Sequence, residues 1–101
     1  MSDEVFDIKD QVRIAHQFYN SSAQAADPTT VTLLLKTPAG VETSHVFGVD
    51  GNVVKTATGA YHYDLTLTEA GIYAWRWVGT GAVVCAEEGT IPVRRSRFTN
   101  P

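Results

Sequence analysis

The chain has 101 residues, of which 44% are hydrophobic and 19% are charged, and its formal net charge is −3. This length and hydrophobic content fit one domain with one packed core. The mild net charge argues against the strongly basic surface of a general nucleic-acid binder and against a highly charged tail.

The compartment in which the chain is made follows from its cysteine content and its first residues. Cys85 is the only cysteine, so the chain cannot form an internal disulfide, and we expect a reducing compartment. The acidic N-terminus lacks the features of a secretion signal, and no long apolar stretch occurs in the chain. We therefore expect synthesis in the cytoplasm and no membrane partner.

Short stretches of alternating apolar and polar residues, separated by clusters of Gly, Pro, Asp and Asn, predict an antiparallel all-β domain. In chain order the predicted strands are Gln11–Tyr19, Thr30–Lys36, Val41–Phe47, Val53–Lys55, Ala60–Leu67, Ile72–Val78 and Ala82–Val93. The second is the best candidate for a central strand, because its residues are β-branched and aliphatic. The third leaves open whether His45 or Val46 faces inward.

The most specific local pattern runs from Leu67 to Trp75. It resembles the tyrosine corner of immunoglobulin-like domains, in which an acidic residue precedes the tyrosine by four positions, a small residue precedes it by two, and a buried residue follows by two. Here Glu69, Gly71 and Trp75 take those positions around Tyr73. The resemblance implies that the Tyr73 ring packs in the core while its hydroxyl bonds to the backbone of the corner.

The sequence departs from antibody domains at two places. Trp75 stands where those domains carry their second disulfide cysteine, and the segment Val41–Phe47 lacks their usual tryptophan. We predict that the Trp75 indole fills the space between the sheets instead, and we expect no antibody-type recognition. The predicted fold is an immunoglobulin-like antiparallel β-sandwich of about seven strands, with a small closed barrel as the alternative.

Residue types that carry chemistry are present without the spacing that catalysis or metal binding requires. His16, His45 and His62 lie on three different predicted strands, without the paired spacing of two metal ligands. Cys85 lies among apolar residues, which favours a buried structural thiol over a nucleophile. No phosphate-binding glycine loop or nucleophile elbow occurs. We expect no catalytic, cofactor-binding or metal site, and no enzymatic activity.

Two features of the late strands each allow a structural and a functional interpretation. The sequence Glu87–Gly89 could bind a cation, but adjacent acids before a glycine are more typical of a β-bulge or a solvated kink, and we predict the bulge. Tyr73, Trp75 and Trp77 share one parity and could form a carbohydrate platform. Because Arg76 has the opposite parity, we predict that the aromatic row faces the core.

The two ends of the chain carry opposite charge: residues 2–10 contain four acids and one lysine, while residues 94–97 contain three arginines. They are either solvated tails or arms that order on contact with neighbouring subunits. Apolar residues within both ends would anchor such arms. The candidate assembly contacts are Phe6, Ile8, Arg94, Arg95, Arg97 and Phe98. The predicted organisation is an N-terminal arm of residues 1–10, a sandwich of residues 11–93 and a basic C-terminal arm of residues 94–101.

Turn and core motifs across residues 10–96 are similar to those of small structural proteins of tailed bacteriophages, encoded beside capsid and connector genes. The motifs are Asp27–Val31, Pro38–Gly40, Thr58–His62, Ala70–Trp77, Gly79–Gly81 and Glu87–Val93. The resemblance implies a virion protein, made in the host cytoplasm, that repeats at the head-to-tail connector as a head-completion, stopper or neck protein. A capsid decoration protein is the alternative within the same setting.

The partners that the resemblance implies are other virion proteins, namely the portal, an adaptor, the tail terminator or the major capsid protein, together with further copies of the chain. Sequence-specific nucleic-acid binding is not expected. A hypothesis from a different class is an immunoglobulin-like module that binds a glycan or a host surface through loop tips such as Gly48–Asn52 and the aromatic row.

Overall fold

The computed structural model describes residues 6–81 and 84–94, and every regular element within them is a β-strand. The strands are β1 (Phe6–Asp7), β2 (Gln11–Gln17), β3 (Thr30–Lys36), β4 (Glu42–Val46), β5 (Val53–Ala57), β6 (Ala60–Thr66), β7 (Gly71–Thr80) and β8 (Cys85–Arg94). The all-β prediction is confirmed. Strands β2 to β8 overlap the seven predicted strands, whereas β1 lies in the predicted N-terminal arm. No helix in the described part of the chain could cross a membrane.

The strands form two sheets rather than one closed barrel. The five-stranded sheet has the order β1-β8-β7-β3-β4, and the three-stranded sheet has the order β2-β6-β5. Neighbouring strands are antiparallel except β1 and β8, which run parallel. The apolar faces of the two sheets contribute to one core, which gives the molecule a sandwich-like arrangement.

Alternation along each strand decides which side chains enter this core. Val31, Leu33 and Leu35 of β3 are buried, as the sequence predicts, and Ile14 and Tyr61 contribute to the core from the three-stranded sheet. Full burial of a side chain of this size stabilises the fold by about 1.5–3 kcal/mol. The apolar alternation in the sequence therefore accounts for which faces of the two sheets meet.

The aromatic row of β7 faces inward. Tyr73 and Trp77 are buried, and Trp75 is half-buried against the core. The most enclosed indole is therefore that of Trp77, rather than that of Trp75. Trp75 lies opposite Gly89 of β8, where a Cβ would come within 2.5 Å of its Cζ2 atom. Gly89 thus leaves the space in which the Trp75 ring lies.

The β-bulge predicted at Glu87–Gly89 is wrong. Strands β7 and β8 pair without a register shift through this segment. Gly89 makes room for the indole of Trp75 and does not interrupt the pairing of β7 with β8. The register irregularity that the structure does contain lies in β5, between Lys55 and Ala57.

The orientation of β4 follows from its register with β3. His45 pairs with Leu33, and Val46 pairs with Thr32. Because Leu33 is buried in the core, the His45 side chain lies on the inward face and Val46 on the outward face. The His45 ring contacts the Tyr63 ring of the three-stranded sheet, with their centroids 4.7 Å apart.

The crossing from β6 to β7 contains the hydrogen bonds predicted for Tyr73. Its hydroxyl accepts hydrogen bonds from the backbone N–H groups of Thr68 and Glu69, at 3.0 Å and 3.1 Å. Gly71 has a φ of +126°, and a Cβ there would lie 2.7 Å from the Cβ of Pro38. The small residue at this corner is therefore required both by backbone conformation and by packing.

The crossing from β2 to β3 is held by a carboxylate that the sequence did not single out. Asp27 accepts hydrogen bonds from Lys55 Nζ at 2.6 Å, from the Gly59 backbone N–H at 2.7 Å and from the Tyr61 hydroxyl at 3.1 Å. The hydrogen bond from Lys55 is the largest cause that lowers the pKa of Asp27, followed by that from Gly59. Asp27 thereby joins this crossing to the β5–β6 hairpin.

Candidate functional site

Three of the candidate assembly residues lie where β1 meets the end of β8. Phe6 and Ile8 are half-buried and pack against the core of their own chain. Arg94 binds Asp7 through two hydrogen bonds, one of them from Nη2 to Oδ2 at 3.2 Å. This interaction lowers the pKa of Asp7. Phe6, Ile8 and Arg94 are therefore integrated into the folded body.

The other candidate residues fall into two groups. Arg95, Arg97 and Phe98 lie outside the described residues. The residues predicted to define the fold through the tyrosine corner lie in the β6–β7 crossing and in β7. They are Glu69, Gly71, Tyr73 and Trp75. Asp7 is not among the candidate residues predicted from the sequence, although the opposite charge of the two ends was a signal for it. Part of that opposite charge is paired within one chain, between Asp7 and Arg94.

Strand β8 forms an open edge next to this junction. Within the described residues, only its last two positions pair with β1, so that the stretch from 85 to 92 has no strand on the side away from β7. Glu87 and Glu88 lie in this stretch, with side chains 57% and 69% exposed. Charged residues are typical of exposed sheet edges, where they limit unspecific strand pairing. Among the described residues, this stretch of the edge of the five-stranded sheet is therefore unpaired, and it is acidic.

Both acids of the open edge are oriented by partners. Glu88 accepts a hydrogen bond from Arg76 Nη1 at 2.6 Å. Glu87 lies 2.8 Å from Nδ1 of His16, which belongs to the opposite sheet. The β8 edge is thus tied to both sheets. Cys85, at the start of β8, is half-buried against the core.

The closest arrangement to catalytic geometry lies at the β4 edge. Thr43 Oγ1 is 3.0 Å from Nε2 of His45, and His45 Nδ1 is 2.5 Å from Oδ2 of Asp50. The backbone N–H of Asn52 donates to the second oxygen of Asp50, and this bond is the largest cause that lowers the pKa of Asp50. A hydroxyl, an imidazole and a carboxylate follow one another as in a hydrolase triad. They also join β4 to the turn that follows it.

Metal-binding geometry is not found in the described part of the chain, where no group of three or more His, Cys, Asp and Glu side chains could hold an ion. The turn Gly48–Asn52 exposes one large apolar side chain, that of Val49, which is 86% accessible. Trp77 of the aromatic row is enclosed and is not available to a ligand at the surface.

These features define a class of protein: an all-β chain of two packed sheets, in which an acidic stretch of β8 has no pairing strand on its outer side among the described residues. No family model, curated protein or solved structure matches the chain.

Proposed function

We propose that this chain is a non-enzymatic structural subunit with an immunoglobulin-like topology. The strand order supports the topology: if β7 is strand F, then β2-β6-β5 corresponds to strands B-E-D and β8-β7-β3-β4 to strands G-F-C-C′. The hydroxyl of Tyr73, bound to the backbone of the preceding corner, is the feature expected of strand F.

The subunit assembles in repeated copies through the open edge of β8. The observation that carries this proposal is the charge of that edge. Glu87 and Glu88 are exposed on it, and the chain continues beyond Arg94 into a segment that contains Arg95, Arg97 and Phe98. A basic segment of one copy is complementary to the acidic edge of the next, and such complementarity guides the register of an assembly.

The setting of this assembly is the virion of a tailed phage, at the head-to-tail connector or, alternatively, on the capsid surface. This part of the proposal rests on the sequence motifs and on the single cysteine of the chain, which excludes an internal disulfide. Its partners are then the portal, an adaptor, the tail terminator or the major capsid protein. The identities of the genes beside this one test the setting without any protein chemistry.

A variant that ends at Arg94 tests the role of the C-terminal segment in the virion. We expect it to fold, because it removes only residues 95–101 and keeps the bond between Asp7 and Arg94. We expect this variant to be absent from purified particles when it replaces the full chain. The matched control is Lys36→Ala, which removes an exposed positive charge at the end of β3, away from β8. Normal incorporation of the truncated chain would contradict the proposal.

The non-enzymatic part of the proposal is tested at the geometry that resembles a triad. We expect the full chain and its His45→Gln variant to hydrolyse p-nitrophenyl acetate at the same rate, because the carboxylate, imidazole and hydroxyl have a structural role between β4 and the next turn. A rate that falls at least tenfold in His45→Gln, with the fold retained, would show that the triad is active and that the chain is an enzyme.

A second candidate function is binding to a glycan or host surface, and the exposure of Val49 at the tip of Gly48–Asn52 favours it. A glycan array probed with the full chain and with Val49→Ser tests this candidate. Saturable binding that Val49→Ser abolishes would support it. An absence of binding would leave assembly as the function.

A further inference from the structure

The outward face of the three-stranded sheet contains an open depression that the assembly proposal does not use. Its volume is about 370 Å³, and its lining includes Arg13, Ala15, Gln17, Thr56, Ala60 and His62. Ala15 pairs with His62, and Gln17 pairs with Ala60, across strands β2 and β6. The two alanines leave a gap between longer side chains. Asp64 is not part of the lining, but it lies beside the depression, where it pairs with Arg13 and interacts electrostatically with His62.

His62 is the central polar group of the depression. It lies on the outward parity of β6, since its neighbours Tyr61 and Tyr63 pair with the inward-facing His16 and Ile14. Despite that orientation, only 9% of its surface is exposed. Its imidazole lines the depression and makes no hydrogen bond to any of the described residues. Its ring nitrogens are not among the buried polar atoms that lack a partner, so they stay accessible to a ligand in the depression.

Arg13 adds a fixed positive charge at the same place. Its Nε and Nη2 atoms donate to the two carboxylate oxygens of Asp64 at 2.9 Å and 3.2 Å. This two-point contact orients the guanidinium plane and leaves the Nη1 hydrogens for another acceptor. Arg13 is therefore oriented by its own chain and still able to bind an anion.

Two further polar side chains line the depression from its other side. Gln17 donates from Nε2 to the Thr58 carbonyl at 3.0 Å, which orients its amide and leaves the side-chain oxygen as an acceptor. Thr56 belongs to the irregular stretch of β5 between Lys55 and Ala57, and its side chain also lines the depression. Donors for an oxyanion and an acceptor for a hydroxyl are thus present together.

We propose that this depression binds a small ligand with an oxyanion, either a carboxylate or a phosphate, carried on a hydroxylated ring of sugar size. Arg13 and His62 bind the oxyanion, Gln17 accepts from a ring hydroxyl, and Ala15 and Ala60 contact the ring. The volume of 370 Å³ falls within the range of about 300–1,000 Å³ found for small-molecule sites. Guanidinium groups bind carboxylates and phosphates more strongly than they bind neutral acceptors.

Nuclear magnetic resonance titration of the full chain tests the site with three probes at constant ionic strength: glucuronate, glucose 6-phosphate and glucose. We expect at least one of the two acids to shift the signals of Ala15, Thr56 and His62 in a saturable manner. Glucose, which lacks the oxyanion, should cause no such shifts. The stronger of the two acids identifies the oxyanion as a carboxylate or a phosphate.

Matched variants distinguish a built site from general charge attraction. Arg13→Gln should weaken binding of the preferred acid roughly tenfold, as expected for loss of a charge-assisted hydrogen bond. His62→Gln should also weaken it. Arg76→Gln removes an arginine with a comparable ion pair on the five-stranded sheet and should leave the affinity unchanged. The spectrum of each free variant reports whether its fold is retained.

Three results would overturn the proposal: no saturable shifts with either acid, equal shifts with glucose, or equal weakening in Arg13→Gln and Arg76→Gln. The titration does not depend on self-association. Failure of the assembly proposal would therefore leave this result unaffected, and the reverse also holds.

Discussion

The two crossings from the three-stranded to the five-stranded sheet are held by different kinds of contact. Between β6 and β7, Tyr73 binds the backbone of Thr68 and Glu69, which lie five and four positions before it. Between β2 and β3, Asp27 binds residues that follow it by 28 to 34 positions. One crossing is held by local contacts and the other by contacts that exist only after the β5–β6 hairpin has formed.

This difference predicts how the two crossings respond to change. At the local corner, one substitution removes the hydrogen bonds of one side chain. At the distant contact, a change in either the carboxylate or the hairpin releases the segment between β2 and β3. We therefore expect the region around Asp27 and Gly59 to be the more sensitive of the two.

The largest effect is expected for Gly59→Ala. Gly59 has a φ of +75°, and a Cβ there would lie 2.6 Å from the Phe18 carbonyl oxygen and 2.9 Å from that of Ala26. The backbone conformation costs about 1–2 kcal/mol, and the steric overlap adds about 1–3 kcal/mol. Denaturant unfolding measures the loss of stability.

Gly40→Ala is the matched control for that variant. Gly40 also has a positive φ, +92°, but a Cβ there would meet no atom within 4 Å. It should cost only the conformational part, about 1–2 kcal/mol. Equal losses in the two variants would show that the crossing between β2 and β3 can move away from the hairpin at little cost.

The next effect is expected for Tyr73→Phe. This change keeps the buried ring and leaves two backbone N–H groups at the corner without their acceptor. It should lower the free energy of unfolding by about 1–3 kcal/mol, as measured by urea denaturation. Tyr19→Phe, at a tyrosine that is 56% exposed, is the control and should have little effect. An unchanged stability in Tyr73→Phe would mean that water replaces the hydroxyl.

Asp27→Asn should change how stability depends on pH. The folded-state pKa of Asp27 lies below its ordinary value of 3.8, chiefly because of Lys55. The stabilisation by its carboxylate is therefore complete above pH 3.8 and is lost as the pH falls through the lower, folded-state pKa. The difference in melting temperature between the natural chain and Asp27→Asn should be widest at neutral pH and should narrow in acid. A constant difference would contradict the role of the charge.

The smallest effect on stability is expected at alkaline pH, where the hydroxyl of Tyr61 ionises. Burial and the hydrogen bond to Asp27 raise the pKa of Tyr61 to about 12. Its neutral form stabilises the fold below pH 10, and this contribution is lost as the pH rises towards 12. Burial also raises the pKa of Tyr63, so absorbance at 295 nm should show a late ionisation step that Tyr61→Phe makes smaller. A late step of unchanged amplitude in this variant would assign it to another tyrosine.

The two crossings also differ in how far they could be predicted from the sequence. The strands and the corner were predictable because alternation and the spacing from Glu69 to Trp75 are local signals. The partners of Asp27 and the depression around His62 were not, because they depend on register between distant strands. The bulge prediction failed for a related reason: Gly89 lies opposite Trp75 only once β7 and β8 are paired.

The predicted terminal arms show the same limit of prediction from sequence, because pairing between distant residues is not visible in it. The opposite charges of the two ends were visible in the sequence, but the pairing of Asp7 with Arg94 within one chain was not. Because Arg94 is bound by Asp7 of its own chain, the C-terminal segment proposed to contact the next copy is limited to residues 95–101. The segment begins at the end of β8, the strand that also carries Glu87 and Glu88 near its start.

Sedimentation velocity of the purified chain tests the assembly claim most directly. The full chain should form oligomers whose population increases with concentration. The variant that ends at Arg94 and the double variant Glu87→Gln/Glu88→Gln should both be monomers that remain folded, because each removes one side of the charge complementarity. A full chain that is monomeric at every concentration, or oligomers that persist in both variants, would contradict assembly through the β8 edge.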